Sequence, residues 1–207
     1  MWSAGPVGTG AFRDVNNLSR STPWLHGTAL AIATYGIAVL IGLAVVSALV
    51  CRSRGDSRGV AASVWSAAAA LLALWVNQPI SHLVGERRPF VSLPDVLVLM
   101  PHGTDFGFAS DHAILAGAIA AGLWFANRRW GILAAVCALV IAFSRTYVGV
   151  HFPQDVVGGL LIGAVVAVVG WVLLGARLTA LVERLASGRA AMLVRGNGSR
   201  LPERQVS

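Results

Sequence analysis

The chain has 207 residues, of which 56% are hydrophobic and only 12% charged. A soluble domain of this length carries about twice that charged fraction, so the composition excludes an ordinary water-soluble fold. The formal charge of +7 invites a nucleic-acid reading, but all sixteen basic residues are Arg, and their placement between apolar runs is that of a membrane protein.

The first two dozen residues are polar, with Asp14, Asn16, Asn17 and Ser19 where the apolar centre of a cleavable signal peptide would lie. Residues 1–24 are expected to form an interfacial segment in which Phe12, Val15, Leu18 and Trp24 share one helical face, ended by Pro23. Thr28 to Val50 contains no ionisable side chain and is long enough to cross about 30 Å of hydrocarbon as a helix. Val60 to Ile80 and Val156 to Ala176 read the same way. Ser110 to Ala126 and Trp130 to Val148 reach spanning length only with their polar ends included. The expected fold is therefore all-α: one integral membrane bundle of about five helices, with room for a sixth. The membrane domain covers 25–176, and a basic tail covers 177–207. Cys51 and Cys137 lie at or within spans, far apart in sequence, and read as membrane residues rather than a disulfide.

Eleven of the Arg residues fall in three places: Arg52, Arg54 and Arg58; Arg128 and Arg129; and the tail after Gly175. Those places share one side of a five-span topology, which the positive-inside rule makes cytoplasmic. The N-terminus is then expected outside and the C-terminus inside, and the basic tail reads as an orientation and anionic-lipid signal, not a nucleic-acid patch.

On this topology three distant segments meet at the outer ends of spans, where ionisable residues are costly and ask for a function. The most informative is Ser144-Arg145 followed by His151 and Asp155. His151 and Asp155 are four apart and share a helical face if the last span begins near Phe152, with Pro153 in its first turn. A carboxylate on one ring nitrogen fixes the tautomer and leaves the other nitrogen free as a nucleophile. Arg145 offers a planar, permanently charged fork to phosphate oxygens. The second segment is Ala109-Ser110-Asp111-His112. Here Ser110 is placed to cap a helix whose first N–H groups face an anion, and His112 to protonate a leaving oxygen and then activate water. The third segment, Arg87-Arg88-Pro89, follows the second span and opens the longest loop, from Gly85 to Ala109. Alone, it would read as a membrane-boundary pair.

In this order, these segments resemble the type 2 phosphatidic acid phosphatase superfamily. Its signature is a Lys seven residues before Arg-Pro, then Pro-Ser-Gly-His, then Ser-Arg, His and Asp. The resemblance spans residues 81 to 155 and implies His151 as nucleophile forming a phosphohistidine, Asp155 as its orienter and His112 as acid/base. It implies Arg88, Arg145 and Ser110 as phosphate ligands, with Ser144 beside them, and needs neither metal nor cofactor. Two departures stand out: Ser81 occupies the Lys position, and Asp111 replaces Gly. Arg87 is the expected source of the lost cation, and Asp111 would have to be met by a cation or by the positive end of its helix.

The Arg-Pro-Phe and Ser-Asp-His-Ala motifs, with Val76-Asn77-Gln78 upstream, are similar to the bacitracin-resistance branch of bacterial undecaprenyl diphosphate phosphatases. That resemblance implies a multi-pass protein of the bacterial plasma membrane with an extracytoplasmic site. Its partners would be a polyprenyl diphosphate and the bilayer. A phosphatase of phosphatidylglycerophosphate or phosphatidate is the nearest rival. A lipid or drug transporter is a rival of another class, favoured by the small residues at Ala67 to Ala70 and at Gly158, Gly159 and Gly163. The transporter reading lacks an ionisable residue at any span centre.

Overall fold

A computed structural model describes residues 5–100 and 105–187. Helix α1 (Pro6–Ser21) ends at Thr22, and a single 3-10 turn (Pro23–Leu25) leads into α2 (His26–Ser53). Asp56 caps α3 (Ser57–Val84) by accepting the Gly59 N–H at 2.9 Å. Gly85 closes that helix in the left-handed conformation, φ 60°, where a residue without a Cβ carries no steric penalty. Pro89 opens the short α4 (Pro89–Ser92). Asn127 ends α5 (Asp111–Ala126) and caps α6 (Arg128–Tyr147), accepting the Arg129 N–H at 2.8 Å. Helix α7 (Pro153–Ser187) starts on Pro153 and continues unbroken past Arg177, where the sequence suggested the tail begins. The last part of that tail, 188–207, and Pro101 of the long loop lie outside the described residues.

Four elements are long and apolar enough to cross a membrane, Pro23–Ser53, Ser57–Ser92, Arg128–Tyr147 and Pro153–Ser187; α5, with 16 residues, is a shorter apolar helix. Its position explains how it is tolerated. It is the central helix, packed against α3, α6 and α7, with Ile114, Ala118, Ile119 and Leu123 fully or almost fully buried. Large apolar side chains such as Val39, Leu71, Val136, Leu161, Val172 and Leu173 instead face outward on the surrounding helices. Hydrocarbon solvates such a surface; water does not.

Small residues set the helix spacing. A Cβ on Gly163 of α7 would collide with the Ile114 carbonyl of α5, and one on Gly117 with the Leu160 carbonyl. The two backbones therefore touch, which lipid-embedded helices need because no hydrophobic drive holds them together. Gly159 and Gly163, which had also suited a transporter, serve this close packing. Trp65 adds a bond from α3, donating its Nε1–H to the Ala167 carbonyl at 2.9 Å.

Of the residues expected to share one apolar face, Phe12, Val15 and Leu18 lie on α1 and Trp24 in the turn after it. Phe12 is fully buried edge-on against Phe152, with ring centroids 5.3 Å apart, whereas Trp24 is 77% exposed. The amide of Asn16 bonds both the carbonyl and the N–H of Leu97, at 2.8 and 3.1 Å, and Arg20 donates to the Asp95 carbonyl. These contacts fasten α1 across the end of the bundle where α3 and α6 finish and α5 and α7 begin.

Candidate active site

At that end of the bundle lies a cavity of about 320 Å³. Its wall includes Arg88, His112, Arg145 and His151, joined by Asn77, Ser81, His82, Asp105 and Asp111. All but Asn77, which lies two turns inside α3, arrive from a helix terminus or a connecting segment. The turn before His151 depends on Gly149, at φ 87°, where any Cβ would run into the Leu97 carbonyl.

His151 is 2% exposed, and its ring is clamped from both sides. Nδ1 lies 3.0 Å from the Gly107 carbonyl and 3.5 Å from Asp155 Oδ2. Both are acceptors, so Nδ1 carries the proton and Nε2 keeps its lone pair. Arg88 Nη1 reaches Nε2 at 3.2 Å while also donating to the Val150 carbonyl at 3.2 Å. Burial first, and then the charges of Arg88 and Arg145, push the His151 imidazole well below its usual value. The result is a neutral imidazole whose unprotonated Nε2 accepts from a guanidinium. Sequence reasoning gave the orienting role to Asp155; the nearer acceptor is the Gly107 carbonyl. Asp155 is fully buried behind it, its Oδ2 taking the Phe152 N–H at 2.8 Å.

Arg88 is held in place by an acid that the motif reading passed over. Its Nη2 meets Asp105 Oδ2 at 2.8 Å and its Nε donates to the Asp105 carbonyl at 3.3 Å. Burial raises the Asp105 carboxyl, but the hydrogen bond and charge of Arg88 outweigh it and hold it below the usual carboxylate range. Arg145, 6% exposed, donates from Nη1 to the Ala33 carbonyl at 3.2 Å and toward Met100 Sδ at 3.3 Å. Its Nε has no hydrogen-bond partner among the described residues. Asp111 begins α5, where the helix N-terminus favours negative charge, and its Oδ1 accepts from Asn77 Nδ2 at 3.0 Å. An amide, not a cation, answers the charge of Asp111.

Three predicted phosphate ligands are not among the cavity-lining residues. Ser110 holds the N-cap position of α5 but makes no side-chain cap bond; its hydroxyl is buried, and its backbone N–H donates to the Asp155 carbonyl at 3.1 Å. No side chain among the described residues caps α5. Ser144 spends its hydroxyl on the Ile141 carbonyl within α6, at 2.7 Å. Arg87 is exposed, and His82, stacked edge-on against Phe106 at 5.7 Å, takes the wall position beside Ser81 instead. Asn77, Asp105 and Gly107 were missed as site residues. Asn77 could have been found as a buried amide within an apolar span; Asp105 and Gly107 carry no signal apart from lying in an overlong loop.

Comparison with known proteins agrees with this architecture. The PAP2 superfamily pattern matches residues 62–178. YbjG of Escherichia coli (strain K12), provisionally named an undecaprenyl-diphosphatase, is 36% identical over 171 residues, covering 81% of this chain and 84% of that protein. The undecaprenyl-diphosphatase BcrC of Bacillus subtilis (strain 168) is 39% identical over 93 residues, 45% of this chain and 48% of that one. Among solved structures, the transmembrane PAP2-type phosphatidylglycerolphosphate phosphatase of Bacillus subtilis shares the fold with TM-score 0.60 at 21% identity, over 88% of both chains. With the pattern covering more than half of the sequence and a relative similar along most of its length, the chain belongs to the PAP2 superfamily.

Proposed function

We propose that this chain hydrolyses undecaprenyl diphosphate to undecaprenyl phosphate and inorganic phosphate through a phosphohistidine on His151. The observation that carries the reading is the His151 ring, whose Nδ1–H is committed to Gly107 and whose lone pair on Nε2 faces the cavity beside Arg88. In the first step Nε2 attacks the terminal phosphorus, the bond to the bridging oxygen breaks, and His112 protonates the departing lipid phosphate. In the second, His112 takes a proton from water, whose oxygen displaces Nε2 and releases phosphate. Arg88, Arg145 and the uncapped N-terminus of α5 stabilise the charge on the equatorial oxygens. Asp155 supports the imidazolium formed in the intermediate. Arg87, Ser144 and the hydroxyl of Ser110 have no part in this arrangement.

The substrate assignment draws on the names of YbjG and BcrC. The Arg clusters at 52–58 and 128–129 lie at the helix ends opposite the cavity, which supports a cytoplasmic position for them and an extracytoplasmic one for the site in a bacterial plasma membrane. Residues 25–176 then form the membrane phosphatase domain, with the N-terminal segment outside and the basic tail in the cytoplasm.

The test is phosphate release by detergent-purified protein from undecaprenyl diphosphate, phosphatidylglycerophosphate and phosphatidate, with EDTA present and His151→Ala alongside. Preference for the diphosphate, surviving EDTA and lost in the variant, is expected. Preference for a glycerophospholipid would keep the chemistry and replace the substrate. Release that EDTA abolishes, or that His151→Ala retains, would remove the mechanism.

A further inference from the structure

Behind His151 stands a second buried acid that the reaction above does not use. Glu86 follows the Gly85 cap of α3 and is fully buried, with no cationic partner among the described residues. Its Oε1 accepts from Gln154 Nε2 at 3.1 Å, and α1 covers that amide where Gly8 leaves room for it. Its other oxygen, Oε2, and Asp155 Oδ1 are both buried and receive no donor among the described residues. Gln154, the residue before Asp155, bonds Glu86 directly, so the two buried carboxyl groups are neighbours and each acts on the other's charge.

Two ionised carboxylates in contact and out of water would repel, and both facing oxygens would be left unsatisfied. One proton between them removes both penalties, because a protonated carboxyl becomes a donor. The surroundings decide which acid holds it. Asp155 has the Phe152 N–H on Oδ2 and the His151 Nδ1–H 3.5 Å away, with the Arg88 charge near. Glu86 has a neutral amide alone. The charged or titratable groups around the pair are His151 in the turn before α7 and Arg88 in the segment after α3, while α1 contributes the uncharged Gly8 and Phe12.

We propose that Glu86 is a positioning residue of this site: as a neutral carboxylic acid it donates to Asp155 Oδ1 and holds that carboxylate against the His151 imidazole. The bond leaves Asp155 with one negative charge and one orientation, its Oδ2 directed at the ring nitrogen that becomes cationic when Nε2 is phosphorylated. Glu86 touches neither substrate nor reacting atoms. The proposal rests on His151 being the nucleophile only for its kinetic consequence.

Two measurements test it. Infrared spectra of wild type and Glu86→Gln at neutral pH are expected to differ by a band of a buried protonated carboxylic acid, present in the wild type and lost in the variant. This arm needs no substrate, so it stands even if no lipid tried is hydrolysed. In the kinetic arm, Glu86→Ala is expected to lower kcat at least about tenfold with KM little changed, because the orienting chain behind the nucleophile goes slack. Glu86→Gln keeps an N–H donor for Asp155 and is expected to stay within about threefold of wild type. Absence of the band, or a band unaffected by Glu86→Gln, would overturn the proposal. So would a Glu86→Gln enzyme as impaired as Glu86→Ala.

Discussion

Asp105→Asn isolates what the substrate must displace. In the structure the fork of Arg88 is occupied by Asp105 Oδ2 at 2.8 Å, and the Asp105 side chain is 65% exposed against 12% for Arg88. If the substrate phosphate takes that fork, the ion pair has to open on binding, and its strength is subtracted from the affinity for lipid. A pair with one partner this exposed is screened by water and contributes about 1 kcal/mol at most. Asparagine keeps the size and leaves the Nε bond to the residue 105 carbonyl, 3.3 Å, in place. Removing the charge alone should therefore lower KM by about fivefold, with kcat nearly unchanged. The assay is initial-rate phosphate release over a range of lipid concentrations in fixed detergent, repeated at low and high salt. The gain should shrink as salt screens the pair in the wild type. A KM that stays the same or rises would refute the reasoning. Asp105 would then hold Arg88 in its working position throughout the cycle, not compete with the phosphate.

His112→Asn should leave attack by His151 partly intact while blocking water activation, so acid-quenched reactions with labelled lipid should accumulate phosphoenzyme that the wild type does not retain. Nitrogen NMR of histidine-labelled protein at pH 6.5, with His151→Gln as the difference control, should show Nδ1 protonated and Nε2 bare. The sign follows from the depressed pKa, because a base held below its ordinary value stays neutral as pH falls to that value. Gly163→Val should destabilise the bundle by about 3 kcal/mol, because its side chain meets the Ile114 carbonyl. Gly42→Ala, with nothing within 4 Å, should stabilise by about 0.5 kcal/mol or more; thermal unfolding in detergent compares the two. Gly107→Ala should keep activity within about twofold, because its Cβ would meet Asp155 Oδ2 at an ordinary 3.4 Å and its work is done by the backbone.

The helices were legible from the apolar runs, since a bilayer leaves a chain little alternative to satisfying its backbone within each segment. Helix α5 shows where that reading thins: its purely apolar stretch is short because it is walled in by protein, and composition cannot distinguish protein from lipid. That Arg88, His112, Arg145 and His151 gather at one cavity was legible because such residues are costly at span ends. Ser110, Ser144 and Arg87, read from the motifs as phosphate ligands, are not among the residues lining the cavity. A motif gives the residue but not the direction of its side chain, and a hydroxyl inside a helix, as at Ser144, can bond its own backbone instead of a ligand. Glu86 was hidden by its neighbours, since an acid beside two Arg residues looks like a surface charge pair until its burial is seen.

Most of the geometry around His151 is set by backbone groups that tie together segments far apart in sequence. The Gly107 N–H donates to the Glu86 carbonyl at 2.8 Å, and the Gly107 carbonyl takes the His151 Nδ1–H. The Ser110 N–H donates to the Asp155 carbonyl, and Asn77 Nδ2 to the Ala109 carbonyl at 3.1 Å. The ends of α3 and α5 are thereby stitched to the start of α7 within a few ångströms of the nucleophile. A nucleophile held this way does not have to be reoriented when the lipid arrives, which is the condition for fixed charges to stabilise a transition state without reorganisation. It also explains why the departures at Ser81 and Asp111 leave the fold of the site intact. They alter the charge on the cavity wall, whereas the frame that aims His151 is built mostly from peptide groups, and Asp111 meets it only at the Asn77 amide.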